Sequence, residues 1–163
     1  MKRKKILFVC TGNTCRSPMA EMLLRSKIKS RKIKWWDVLS CGVHAQKGAP
    51  INSNARAALE ERGVAIKDNF AARQLTQNLI EKSVLVVTMT EAHRQMLEDC
   101  GNVVCISKFC NREVPDPYGA DLDTYRLTLQ IISEACDNII DNYILKYEDE
   151  YHENCSRVRS RRT

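Results

Sequence analysis

Nothing in this 163-residue sequence approaches a membrane span. The opening MKRKKILFVC has the positive charge of a secretory leader, but its apolar run lasts only from Ile6 to Cys10 before Thr11 and Gly12 end it, too short for a leader's apolar core. No membrane association is expected. Zinc-finger spacing and the RNP-type aromatic motif are both absent, so nucleic acid is not an expected partner despite a formal net charge of +6. That charge gathers at Met1 to Lys5, Arg25 to Lys34 and Arg157 to Thr163, where it reads as solvated faces and a tail. The histidines His44, His93 and His152 lack ligand spacing, and four residues separate Cys10 from Cys15, so no metal is expected. The C-x-x-C pair of dithiol oxidoreductases is missing too. Without repeats or a dividing linker, the length suits one core better than two.

Eight cysteines are present, at positions 10, 15, 41, 100, 105, 110, 136 and 155. They are scattered through core-forming sequence instead of framing a small disulfide scaffold, and the expected setting is a reducing cytosol.

Ile6 to Val9 and Val84 to Met89 are apolar runs suited to strands buried on both faces of a parallel sheet. Ala20, Leu23, Leu24 and Ile28 follow the first run at helical spacing. With Ser17 placed to cap and Pro18 at the favoured first position, a helix is predicted from about Ser17. A strand at Asp37 to Cys41, a helix from Asn52 to Arg62 stopped by Gly63, and a shorter helix from Thr76 to Lys82 precede the strand at Val84. After it come a helix from about Glu91 to Cys100 and a strand from Val103 to Ile106. Tyr125, Leu129, Ile132, Cys136, Ile139, Ile140, Tyr143 and Tyr147 then form one face of a C-terminal helix. Trp35 and Trp36 read as core or strand-edge residues. The alternation predicts one α/β domain over residues 1–150, a parallel sheet with helices on both faces, and a charged, mobile tail over 151–163.

The chemistry concentrates in VCTGNTCRSPMAE, Val9 to Glu21, at the turn between the first strand and the first helix. Ligands of doubly wound sheets bind at such turns, where backbone N–H groups and the helix dipole converge. Gly12 is expected to let the backbone curl and Asn13 to tolerate a left-handed conformation, making an anion nest that favours both a phosphate and a thiolate. Cys10 and Arg16 frame a C-x5-R pattern. Arginine's planar fork can hold two phosphate oxygens, and the Ser17 hydroxyl can donate to the sulfur. Nucleophile and oxyanion clamp therefore share one loop. Such chemistry needs a carboxylic acid to protonate the leaving group. VPDPYGADLD offers Asp116, held between Pro115 and Pro117, with Asp121 and Asp123 as rivals that can instead favour a helix N-terminus.

Cys10-Thr-Gly-Asn-Thr-Cys-Arg-Ser-Pro18 together with Asp116-Pro-Tyr-Gly119 resembles the low-molecular-weight protein tyrosine phosphatase family, over about Lys4 to Tyr147. The resemblance implies a four-stranded parallel sheet with the phosphatase loop after the first strand, and a cofactor-free reaction through a phosphocysteine. It makes Cys10 the nucleophile, Arg16 the phosphate clamp, Ser17 the thiolate donor and Asp116 the general acid. Thr11, Gly12, Asn13, Thr14 and Cys15 complete the loop around the phosphate. Asn13 shapes that loop, Ser40 buttresses it, and Tyr118 forms an aromatic wall of the cleft. The expected partners are phosphorylated proteins.

Thr14 stands where tyrosine-selective members usually carry an aliphatic residue, and CTGNTCRSPMAE is more similar to the family's arginine phosphatases. A guanidinium leaving group carries donors, so the Thr14 hydroxyl and Asp116 carboxylate suit it. Phosphoarginine is therefore the expected substrate and phosphotyrosine the alternative. Thioredoxin-coupled arsenate reductases are also similar, but they need cysteines after the third strand, where Thr90 and its followers supply none. A phosphate-binding module without catalysis is the non-enzymatic alternative, disfavoured by the intact Cys10, Arg16 and Asp116. Cys15 is expected either to pack beneath the loop or to form a reversible disulfide with Cys10.

Overall fold

Ile6, Leu7, Phe8 and Val9 are all fully buried because they run through the middle of a sheet covered on both faces. The structure, a computed structural model, describes residues 2–98 and 101–160. Its strands are β1 (Lys4–Cys10), β2 (Trp36–Gly42), β3 (Leu85–Thr88) and β4 (Val103–Cys105), all parallel and ordered β2-β1-β3-β4. Side chains alternate across β1. Ile6, Phe8 and Cys10 face the larger core, while Leu7 and Val9 face a smaller one with Cys41, Ile80, Val86 and Val103.

The helices are α1 (Arg16–Ser30), α2 (Ser53–Glu61), α3 (Gln77–Glu81), α4 (Glu91–Gln95), α5 (Ser107–Cys110), α6 (Leu122–Ile139) and α7 (Leu145–Ser160). Leu24 of α1, Leu59 of α2, Phe109 of α5 and Leu129 of α6 fill the larger core, and Ile80 of α3 closes the smaller. The predicted α/β architecture, a four-stranded parallel sheet with helices on both faces, is the one observed.

Several boundaries differ for identifiable reasons. Asn52 and Thr76 lie outside their helices as caps, accepting from backbone N–H groups of the first turn. Helix α1 starts at Arg16, so Ser17 is its second residue and not its cap, and Pro18 is its third. The Ser17 hydroxyl is taken up by other partners instead. Helix α4 ends at Gln95, short of the expected Cys100, and residues 99–100 lie outside the described residues. The four-residue α5, too short to show periodicity, went unpredicted; it stops at Asn111, whose φ is 59°.

The C-terminal helix contains a π-helical turn, Ile140–Ile144, between α6 and α7. Its extra residue rotates the apolar stripe, so Ile139, Ile140 and Ile144 are all buried while α7 buries nothing. The charged segment 151–163, expected as a mobile tail, continues α7 as exposed helix to Ser160, with Glu153 and Arg157 paired one turn apart. Residues 161–163 lie outside the described residues.

Helix α7 is tied to the sheet at the end remote from Cys10. Lys4 Nζ and Trp36 Nε1 both donate to Glu148 Oε1, at 3.0 and 2.8 Å, and Lys4 Nζ lies 5.1 Å from the Tyr147 ring centroid. Trp36 also meets Tyr147 edge-on at 5.5 Å. Trp35 instead stays exposed, with φ at 70°. Burial pushes the Glu148 carboxyl up, but the Lys4 and Trp36 hydrogen bonds outweigh it and hold it below the ordinary 4.5. The stability this supplies is therefore present above pH 4.5 and lost as pH falls through the lowered value. Replacing Glu148 by Ala is expected to cost about 1–3 kcal/mol in urea denaturation at neutral pH. Because β1 separates this tie from the loop by about 20 Å, kcat should be unchanged.

Candidate active site

Strand β1 has β2 on one side and β3 on the other, so the chain connections diverge at its C-terminal end, the place where sheets of this kind open a crevice. Residues 10–16 occupy that crevice. Asn13 adopts φ 56°, as its residue type predicted, and its side chain fixes the curl. Its amide donates to Ser17 Oγ and to Ser40 Oγ, both at 2.9 Å, and its Oδ1 accepts from the Arg73 backbone N–H at 2.9 Å. Ser40 passes the chain on to Glu21 at 2.6 Å, and the other Glu21 oxygen pairs with Lys67. Because Ser17 Oγ accepts from Asn13, its own proton is left for the Cys10 sulfur at 2.8 Å or the Cys41 carbonyl at 3.3 Å.

The structural glycine of the loop is not the one the sequence suggested. Gly12 is outside the left-handed region, and a Cβ there would meet Thr14 Oγ1 at an ordinary 3.8 Å. At Gly42, the end of β2, a Cβ would lie 2.4 Å from the Thr11 carbonyl oxygen and 2.9 Å from the Asn13 nitrogen. Its position at a strand end was the available signal, since glycine there often marks close backbone approach.

Helices α2, α3, α4 and α6 are each preceded by a side chain bonded to first-turn N–H groups, whereas α1 has Cys15 at its cap position and no such bond. None of the backbone N–H groups of residues 12–15 donates to another described residue. The loop thus combines backbone donors that have no described acceptor with the positive end of a 15-residue helix, the physical requirements of an anion site.

Arg16 adds a full charge. Its side chain is only 6% exposed; Nη1 donates to the Val114 carbonyl at 3.1 Å, Nη2 to Thr11 Oγ1 at 3.3 Å, and Nη2 is 3.6 Å from Asp116 Oδ2. Asp116 itself is half exposed, and its Oδ1 accepts from the Tyr118 N–H at 3.1 Å, a local turn that aims the carboxyl at Arg16. Tyr118 stands 75% exposed at the rim. The rival carboxylates are engaged elsewhere: Asp121 caps α6 through Thr124, which holds it below its ordinary value, and Asp123 pairs with Arg126.

Thr14 is half-buried; among the described residues the hydrogen-bond partner of its hydroxyl is Cys15 Sγ, at 3.8 Å. The Cys15 thiol turns into the core against the Tyr125 hydroxyl at 3.3 Å, and burial pushes its pKa up, so only its backbone faces the nest. Burial likewise pushes the neighbouring Cys41 thiol up to about 12. Cys105 is buried in β4, and Cys100 lies outside the described residues.

One residue in contact with the loop escaped sequence reasoning altogether. His93 of α4 is buried, with Nε2 2.8 Å from Thr11 Oγ1 and Nδ1 3.0 Å from Thr90 Oγ1. Nothing local in EAHRQ signals that contact, which spans 82 residues.

The family described as low molecular weight phosphotyrosine protein phosphatase matches residues 5–150. The chain belongs to that family. A protein-arginine-phosphatase of Bacillus subtilis is 36% identical over 137 residues, 79% of this chain and 89% of the relative. A probable low molecular weight protein-tyrosine-phosphatase of Ralstonia nicotianae is 31% identical over 139 residues, 82% and 92%. Among solved structures, the low molecular weight protein tyrosine phosphatase of T. tengcongensis superposes with a TM-score of 0.79 at 36% identity, covering 85% of this chain and 99% of that one. The arginine phosphatase of Geobacillus stearothermophilus gives 0.78 at 29%, covering 91% and 97%. This low molecular weight phosphatase is thus a phosphoprotein phosphatase by family, with its cysteine-arginine loop after β1.

Two outcomes test the site's construction. Gly42→Ala should cost about 1–3 kcal/mol by overpacking and, by displacing the loop backbone, lower kcat/KM by about a hundredfold. Burial, then Arg16, holds the His93 pKa below the ordinary 6.5, while Asp116 and Glu113 oppose it. The unfolded chain consequently binds this proton first, and stability falls as pH drops from 6.5 toward the folded value. Urea titrations between about pH 7 and about pH 5 should show a shallower loss for His93→Gln, which has no proton to gain.

Proposed function

We propose that this phosphatase removes the phosphoryl group from phosphoarginine in proteins, working in a reducing cytosol that keeps Cys10 a thiol. The observation that carries the arginine reading is Thr14: the hydrogen-bond partner of its hydroxyl among the described residues is Cys15 Sγ at 3.8 Å, leaving it able to bond a polar leaving group. Relatives named for arginine and for tyrosine stand at 36% and 31% identity, so overall similarity does not choose between them.

In the first step the Cys10 thiolate attacks phosphorus, the S–P bond forms and the P–N bond to the guanidino group breaks. Protonated Asp116 gives its proton to the departing nitrogen. Arg16 and the loop N–H groups hold the equatorial oxygens, where charge spreads in a loose transition state. In the second step Asp116, now a carboxylate, takes a proton from water as that oxygen attacks phosphorus. The S–P bond breaks, phosphate departs and the thiolate, steadied by the Ser17 hydroxyl, is restored. Cys10, Arg16 and Asp116 are the catalytic residues of this reading.

Turnover of matched phosphoarginine and phosphotyrosine proteins tests it. Wild type should prefer phosphoarginine, and Thr14→Ile should lower that kcat/KM by about tenfold, the worth of one lost hydrogen bond to a charged group, while sparing phosphotyrosine. A wild-type preference for phosphotyrosine, or an unchanged ratio in Thr14→Ile, overturns the arginine assignment. Cys10→Ser should abolish both activities, and Asp116→Asn should slow both by about a hundredfold.

A further inference from the structure

We propose that His93 is a positioning residue of the phosphate site, donating from Nε2 to the Thr11 hydroxyl on which the Arg16 guanidinium rests. The neighbours accommodate this proton placement. Thr90 Oγ1 caps α4 by accepting the His93 backbone N–H at 3.2 Å and keeps its hydroxyl proton, which in the proposed arrangement goes to His93 Nδ1 at 3.0 Å. The ring proton then sits on Nε2, 2.8 Å from Thr11 Oγ1. Thr11 Oγ1 also takes the N–H of Arg16 Nη2 at 3.3 Å; both its lone pairs are filled, and its own O–H is left to donate to a bound phosphate oxygen.

The charged groups around the ring keep it in this form. The burial of the ring, and then Arg16 of α1, favour the neutral imidazole, and together they outweigh Asp116 and Glu113 from the segment before α6. On α4 itself, Glu91 and Arg94 pair with each other. The two anchors of the guanidinium both lead back to the end of β3. Arg16 Nη1 binds the Val114 carbonyl at 3.1 Å, and Val114 is fixed by its N–H to the Met89 carbonyl at 2.9 Å. Arg16 Nη2 binds Thr11, which is fixed by His93. Removing one anchor lets a buried cation swing within its pocket, and a clamp that must be ordered on binding binds less tightly.

The inference rests on Arg16 as the phosphate clamp, and the experiment separates the two. Inhibition by inorganic phosphate is measured with kcat/KM on an aryl phosphate for wild type, His93→Phe, His93→Gln, Thr11→Val and Arg16→Met. His93→Phe, which keeps the ring volume without the donor, should weaken phosphate binding by about tenfold. His93→Gln, whose amide nitrogen reaches near Nε2, should recover most of it. Thr11→Val, which also removes the hydroxyl facing the phosphate, should lose at least as much as His93→Phe, and the double variant should lose no more than Thr11→Val alone, the behaviour of two groups acting as one unit. Phosphate binding as tight in His93→Phe as in wild type, or no better in His93→Gln than in His93→Phe, overturns the inference. If Arg16→Met retains phosphate affinity, the clamp reading fails as well. If it loses affinity while His93→Phe does not, only the role of His93 falls. Should His93→Phe not fold, His93→Leu poses the same question with a smaller apolar side chain.

Discussion

The side-chain amide of Asn13 makes three hydrogen bonds, to Ser17, Ser40 and the Arg73 backbone, and through them it holds the loop after β1 in a curl that its own left-handed backbone conformation begins. Cys10 is aimed by Ser17, Ser17 by Asn13, and Asn13 by Ser40 and in turn by the Glu21–Lys67 pair. In a buried network each member is costly to leave unpaired, so the loop has one arrangement in place of several. That rigidity is what a phosphate site needs, since donors that are already ordered lose little freedom when the anion arrives.

Arg16 shows the opposite economy. A guanidinium buried to 6% exposure would ordinarily demand full pairing, yet it holds one backbone carbonyl, one hydroxyl and a carboxylate 3.6 Å away. The arrangement orients the cation without neutralising it. A phosphate bound in the nest would complete its coordination, so the site trades some stability of the free protein for affinity. The missing side-chain cap on α1 is a second instance of the same trade, beside four helices that are capped.

Much of this was legible in the chain. The apolar runs at Ile6 and Val84 identified central strands because only a sheet covered on both faces buries every residue of a run. The C-x5-R loop and Asn13 could be named because each residue's chemistry is local, while the choice of Asp116 over Asp121 and Asp123 rested partly on the family resemblance. Other features were misplaced. Ser17 was expected both as a cap and as a partner of the Cys10 sulfur, and only the second role is observed, at 2.8 Å; Gly12 was expected as the conformational glycine, a common local role, whereas the close approach of Gly42 to Thr11 brings the end of β2 against the loop after β1, a contact that no window of sequence contains. The π-helical turn was invisible for a related reason: a one-residue slip barely disturbs a helical stripe.

The sequence by itself determined the alternation of strands and helices and the loop after the first strand that carries Cys10 and Arg16, since periodicity and side-chain chemistry are carried along the chain. Only the tertiary structure decided which of three aspartates meets Arg16, which glycine is sterically required, and that His93 reaches Thr11 across 82 residues. Those facts depend on distances between segments, which the packing of β3 and α4 beside β1 fixes and local preference does not.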